Sequence, residues 1–287
     1  MGNRWPMVSI IIPTHTADEA TRNCVAACAR LDYPGYEIIV VPDEAVTEIN
    51  AGGRTRWVPA AVLPGEKKNR GVMAARGEVC AFIDSDAYPS SDWLKNGVRH
   101  LFCEGVGAVG GPNLTPPEDS VEQQLSGVIL SSVMALGKFA KRYRKTAWHY
   151  VLEIPSCNLL VRKETFLRAG GFVRNLLTAE DASLSFQIAN LGLKLVFSPD
   201  VVVYHHRRPI FKRYFQQIFR YGRDKRALLK TLSLPELFGK LCYFSLPLGV
   251  PCGLLLLILA LVLKPLRPVV FSGAAVYLMA VWAEAIF

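Results

Sequence analysis

The chain has 287 residues, a formal net charge of +9 and 51% hydrophobic side chains. That length holds one large domain or a domain with an appendage, and a mean hydropathy of +0.23 is high for a wholly soluble protein. Seven cysteines (Cys24, Cys28, Cys80, Cys103, Cys157, Cys242 and Cys252) form no Cys-x-x-Cys pair, which argues against a disulfide framework or zinc site and for reduced, buried thiols.

No cleavable apolar segment is read in the first seven residues, so the bulk of the chain is expected in the cytosol. Val8 to Ile12 reads as a strand, Ala17 to Leu31 as a helix and Glu37 to Val41 as a second strand. Arg56-Trp57-Val58 opens a weaker third strand, Glu66 to Ala75 is a helix and Val79 to Ile83 a fourth strand. Ser90 to Cys103 reads as a helix capped by Ser90 or Ser91, followed by a strand at Val106 to Val109. This alternation implies a parallel sheet covered by helices on both faces, with ligands at the carboxyl ends of the strands. Pro13, Thr14, His15, Asp43 and the Asp84-Ser85-Asp86 run all fall at such ends. Gly105-x-Gly107-x-x-Gly110 fits the dinucleotide pattern, but a helix precedes it and no helix follows, so a dinucleotide site is rejected.

Further on, Val121 to Lys145 reads as one helix, Ser156 to Val161 as a strand, Glu180 to Leu191 as a helix and Leu195 to His206 as one or two strands. Between Arg207 and Lys230, nine Lys or Arg face a single acid, Asp224, interleaved with Phe211, Tyr214, Phe215, Ile218 and Phe219 as one helical stripe. An interfacial helix on anionic membrane lipids is expected there. Nucleic-acid binding, the competing use of such charge, ranks below it because the segment runs into an apolar span. Leu241 to Leu263 carries no charged side chain and is long enough to cross a bilayer; Val269 to Phe287, with only Glu284, is a second candidate. The expected division is therefore a domain over 1–206 (halves at about 1–112 and 113–206), an interfacial segment over 207–240, and one or two transmembrane helices over 241–287.

The most informative local feature is the apolar run Val79 to Ile83 ending in Asp84 and Asp86. Alternate residues of a strand point the same way, so the two carboxylates converge if the extended geometry persists. Such a pair suits a hard divalent cation that bridges to a substrate phosphate.

Taken together, the blocks Val8-Ser-Ile-Ile-Ile-Pro-Thr14, Glu37-Ile-Ile-Val-Val41 with Asp43, Lys68-Asn-Arg-Gly71, Ala75 to Asp86, Ser156 to Arg162, Gly170-Gly-Phe172, Glu180-Asp181, Val203 to Arg207 and Gln217 to Tyr221 follow a specific order. In that order the chain resembles the family 2 glycosyltransferases from about Val8 to Arg226. The resemblance implies a Rossmann-like α/β nucleotide-sugar-binding domain of the GT-A type, with a mixed, mainly parallel sheet. It implies that Asp86 binds a divalent metal ion (Mn²⁺ or Mg²⁺) with His205, preferred over His206, completing the shell, while Asp84 and Ser85 lie by the donor. Pro13, Thr14 and His15 would hold the nucleotide base and Lys68 would meet the nucleotide. Asp43 matches the second of two acids that commonly follow the second strand. The first is replaced by Pro42, so the contact to a uracil rests on Asp43 or is absent. Asp181 would be the general base that takes the acceptor's proton, with Glu180 beside it on the acceptor side. Gln217, Arg220 and Tyr221 resemble the Gln-x-x-Arg-Trp signature of polymerising members and are assigned to the acceptor side too; Tyr in place of Trp speaks against processivity.

The implied function is a metal-dependent, inverting glycosyltransferase at the inner face of a membrane. It would move sugar from a nucleotide donor, expected to be UDP-linked, to a lipid-linked acceptor. A processive polysaccharide synthase and a non-catalytic nucleotide-sugar-binding scaffold are the alternatives.

Overall fold

Runs of β-branched and aromatic residues with no polar alternation suit strands buried on both faces. In the computed structural model, which describes residues 5–45, 53–174, 180–210, 216, 219, 253, 255–256, 258–260 and 262–286, they form the centre of an eight-stranded sheet. In chain order the elements are β1 (Val8–Pro13), α1 (Glu19–Cys28), β2 (Tyr36–Val41), β3 (Thr55–Trp57), α2 (Pro64–Ala74), β4 (Val79–Phe82), β5 (Ala87–Pro89), α3 (Trp93–Leu101), β6 (Val106–Gly110) and β7 (Asn113–Leu114). There follow α4 (Val121–Ser131), α5 (Val133–Leu136), β8 (His149–Val151), β9 (Leu159–Arg162), α6 (Lys163–Arg168), α7 (Glu180–Asn190), β10 (Lys194–Phe197), β11 (Val203–His205) and α8 (Arg267–Ile286).

The large sheet runs β3-β2-β1-β4-β9-β6-β10-β8, and β5-β11-β7 make a second, three-stranded sheet. Neighbours are parallel from β3 through β4 and between β6 and β10; β9 lies antiparallel between β4 and β6, and β8 antiparallel at the edge. Successive side chains alternate between two cores. Val8, Ile10, Ile12, Ile38 and Val40 pack under α1 and α3, whereas Ile11, Ile39, Val41 and Phe82 pack under α2, α6 and α7. Helix α2 lies close on β1 because Gly71 has no side chain: a Cβ there would come within 2.5 Å of Ile11 Cγ2.

Several expectations change here. The single helix over 121–145 is broken: Ser132 is extended and caps α5, and Gly137 turns with φ +57°, after which residues 137–143 continue as a 3₁₀ turn. Neither Ser90 nor Ser91 caps α3, which begins at Trp93 after Asp92. By contrast, the strand expected at Val106 to Val109 stands, as β6. Among the described residues no helix is long and apolar enough to cross a membrane. Of the two spans expected over 241–287, the second, held in α8 (Arg267–Ile286), is therefore not found as a transmembrane helix, and most of the first (241–252, 254, 257 and 261) lies outside the described residues. The interfacial segment over 207–240 also falls almost wholly outside them.

Asn158 ties the two sheets together. Fully buried, it accepts from Trp93 Nε1 (2.9 Å) and donates to the Val201 (2.7 Å) and Pro112 (3.2 Å) carbonyls. Pro112 keeps a second bond from the Val203 N–H, but the indole N–H and the Val201 carbonyl would be stranded by truncation. Asn158→Ala is therefore expected to cost about 3 kcal/mol, read as a lower urea midpoint at unchanged m-value.

Candidate active site

Strand β4 ends at Phe82, so Asp84 and Asp86 do not sit on an extended strand as alternation supposes. A turn brings them together instead, closed by the Ala87 N–H donating to the Asp84 carbonyl at 3.2 Å. The chain then enters β5, which pairs antiparallel with β11 in a register that sets His205 opposite Ala87. His205 Nε2 is consequently 3.0 Å from Asp86 Oδ1 and 3.7 Å from Asp84 Oδ2. Ligand atoms of Asp84, Asp86 and His205 all lie within 4.8 Å of one another.

Two carboxylates and an imidazole converging at this spacing fit a divalent ion of the Mg²⁺ or Mn²⁺ kind. The electrostatics point the same way. Enclosure by protein raises the Asp84 carboxyl above its ordinary value, against the pull of Lys68 and His205. Asp86 is enclosed too, but His205, with Arg208 in support, holds it well below the ordinary carboxylate range. Burial would lower His205, yet the Asp86 carboxylate raises it. His205 is itself oriented from behind. Arg207, buried, sets its Nη1 3.2 Å from His205 Nδ1, and Asp119 receives the Arg207 N–H (3.1 Å) while pairing with His206 Nδ1 (2.5 Å). His206 is thus held by Asp119, outside the Asp84–Asp86–His205 cluster.

Beyond the carboxyl ends of β1 and β2, Asp43 is joined by His15 Nδ1 at 2.9 Å and by the ammonium of Lys67. Those hydrogen bonds, Lys67 first, lower its carboxyl below the ordinary value. His15 itself is exposed, Pro13 ends β1, and Thr14 is buried, with its hydroxyl on Thr16 and Thr21 and its carbonyl receiving Lys67 Nζ at 2.5 Å. Ser85 sits half-buried in the turn between the two aspartates.

Lys68 is buried among protein partners. It is 3% exposed, donates to Ser156 Oγ and to Glu180 Oε1 (2.9 Å), and lies 3.6 Å from Asp181 Oδ1. Glu180 is buried, and that burial raises its carboxyl above the ordinary value. Asp181 Oδ1 is buried without a hydrogen bond among the described residues, although the side chain as a whole is 23% exposed. The Asp84 carboxyl feels the charge of Asp181, which sets the acid pair and the Asp84–Asp86–His205 cluster in one electrostatic neighbourhood. Gln217, Arg220 and Tyr221 lie outside the described residues.

Sequence reasoning missed Lys67, Ser156 and Asp119. For Lys67 a signal existed: the first two turns of α2, from Pro64 to Arg70, hold no apolar residue, so lysines had to fill the face turned to the sheet. Ser156 opens one of the ordered blocks but nothing there announced its partner, and nothing local marked Asp119; their partners are 88 residues away or nearly so.

Residues 6–223 match the family described as Glycosyltransferase like family 2. A glycosyltransferase AglE of Haloferax volcanii is 26% identical over 254 residues, covering 83% of this chain and 80% of that one. A dolichyl N-acetyl-alpha-D-glucosaminyl phosphate 3-beta-D-2,3-diacetamido-2,3-dideoxy-beta-D-glucuronosyltransferase of Methanococcus voltae is 20% identical, covering 97% of this chain and 86% of that one. Among solved structures, the mannosyltransferase PcManGT from Pyrobaculum calidifontis, in complex with GDP-Man and Mn²⁺, shares the fold with a TM-score of 0.61 at 22% identity, over 99% of this chain and 88% of that one.

Proposed function

The chain belongs to the family 2 glycosyltransferases, which use nucleotide-sugar donors, and on that premise we propose that it transfers a sugar, with inversion and with a divalent cation, to a hydroxyl of a lipid-linked acceptor. The observation that carries this reading is the convergence of the ligand atoms of Asp84, Asp86 and His205 within 4.8 Å of one another. A sugar whose diphosphate lies toward the cluster presents its anomeric carbon toward Asp181. Asp181 takes the proton of the acceptor hydroxyl as its oxygen bonds to the anomeric carbon, and the bond from that carbon to the phosphate oxygen breaks on the opposite face. Asp84, Asp86 and His205 would hold the cation, which when bound offsets charge building on the departing diphosphate. Asp43 orients the nucleotide base.

A membrane-surface location is supported by apolar side chains left in the open near the carboxyl end, among them Val262 and Val269 at 73% exposure and Met279 at 62%. A lipid-linked acceptor is supported by the dolichyl-phosphate substrate in the name of the Methanococcus voltae relative. The structural neighbours were solved with donors of different base, GDP-Man in one and UDP-GlcNAc in another, so the test carries both. Purified protein is incubated with UDP- and GDP-sugars, Mn²⁺ or Mg²⁺ and a membrane lipid extract. Release of nucleoside diphosphate together with a new glycolipid of inverted anomeric configuration is the expected result. Tight donor binding without transfer would make the chain a scaffold; transfer only to water-soluble sugars would remove the lipid-linked acceptor.

A further inference from the structure

Helix α2 presents two adjacent lysines that are both almost fully buried, at 2% and 3% exposure, yet serve opposite sides of the site. Lys67 joins Asp43 and the Thr14 carbonyl on the donor side; Lys68 joins Glu180, Asp181 and Ser156 on the acceptor side. A buried ammonium is costly unless paired and hydrogen-bonded. Lys68 meets that condition with two carboxylates and a hydroxyl, and its charge also stands 5.0 Å from the centroid of the Phe172 ring. Two of the three ammonium protons are already taken by Ser156 and Glu180, and Asp181 stands nearest to the third.

We propose that Lys68 is the positioning residue of the acid pair: its ammonium, anchored by Ser156 and Glu180, fixes the Asp181 carboxylate toward the reacting sugar and does not contact the donor diphosphate. This rests on the reading of Asp181 as the group that accepts the acceptor's proton. Three features beyond charge pairing support it. Lys68 Nζ is nearer to Glu180 (2.9 Å) than to Asp181 (3.6 Å), so Glu180 acts as the strut and Asp181 as the supported group. Asp181 Oδ1 has no hydrogen bond among the described residues, so Lys68 is what balances that oxygen's charge. Glu180 and Asp181 are consecutive like charges opening α7, and one cation between them offsets their repulsion. Burial alone would lower the Lys68 ammonium, whereas Asp181, Glu180 and Asp84 together raise it above the ordinary lysine value, so it stays charged in this role.

The test is Lys68→Met, with donor affinity measured by calorimetry and turnover at saturating donor and acceptor. The expected result is a kcat lower by on the order of 100-fold, as for a misplaced catalytic group, with donor Kd changed by less than about fivefold. Lys67→Met is the contrast, expected to weaken donor binding. A donor Kd shifted by more than about fivefold in Lys68→Met, or a kcat retained within about fivefold, overturns the assignment. If Lys68→Met does not fold, Lys68→Met/Glu180→Gln, which removes both buried charges, is read against the same two thresholds. A wild-type protein that binds donors but transfers nothing defeats the functional reading instead, and the donor Kd of Lys68→Met still reports whether Lys68 meets the phosphates.

Discussion

Asp181→Asn should leave a folded protein that binds its donor as the wild type does but turns it over about 1000-fold more slowly. An acceptor hydroxyl is a weak nucleophile, and an amide cannot take its proton. The substitution is nearly isosteric. Glu180 Oε1 remains at 2.9 Å to hold Lys68, so no buried charge is left alone. The loss should thus fall on kcat, not on stability or donor affinity, which separates removal of a base from collapse of a pocket. Equal transfer rates in the variant and the wild type would remove Asp181 from the chemistry and move the search to another carboxylate. Glu180 is poorly placed to substitute, being buried with an oxygen on Lys68.

How much of this was legible beforehand depended on the distance over which each signal acts. The apolar runs at Val8, Glu37 and Val79 announced β1, β2 and β4 because a strand buried on both faces needs little but its own residues. The family assignment drawn from ordered short blocks holds for the same reason, since each block is local. Asp84 and Asp86 were legible as a pair, but not the turn that joins them, which depends on β5 finding β11 across more than a hundred residues. Strands β5, β7 and β11, two or three residues long, are too short to show a period. The antiparallel insertion of β9 between β4 and β6 is likewise a tertiary choice that no local pattern records. Lys68 is the instructive case: its position was marked as functional, but its partner Glu180 lies 112 residues on and no local pattern announces the pair. The helix over 121–145 failed differently. Its apolar spacing is continuous, and one glycine with positive φ, aided by an extended Ser132, decided the break.

The second large effect concerns the cation. Mn²⁺ should raise the melting temperature of the wild-type chain, and Asp86→Ala should abolish that rise and weaken donor binding in Mn²⁺ by about 100-fold. The choice of Asp86 over Asp84 follows from their surroundings. Asp86 is kept ionised by His205 and Arg208, so it offers a charged oxygen before any cation arrives. Asp84 is raised by enclosure, against the pull of Lys68 and His205, and has no such close partner of its own. Removing Asp86 thus removes the ready charge and also releases His205, whose Nε2 loses its 3.0 Å partner. Without metal, the two proteins should bind donor with similar, weak affinity, because Asp43 and its Lys67 partner are untouched. A wild-type chain that transfers sugar fully in excess chelator, with no melting response to Mn²⁺ or Mg²⁺, would show that Asp84, Asp86 and His205 hold no metal that the reaction needs. Arg208, 3.8 Å from Asp86 Oδ2, would then be the cation to remove next.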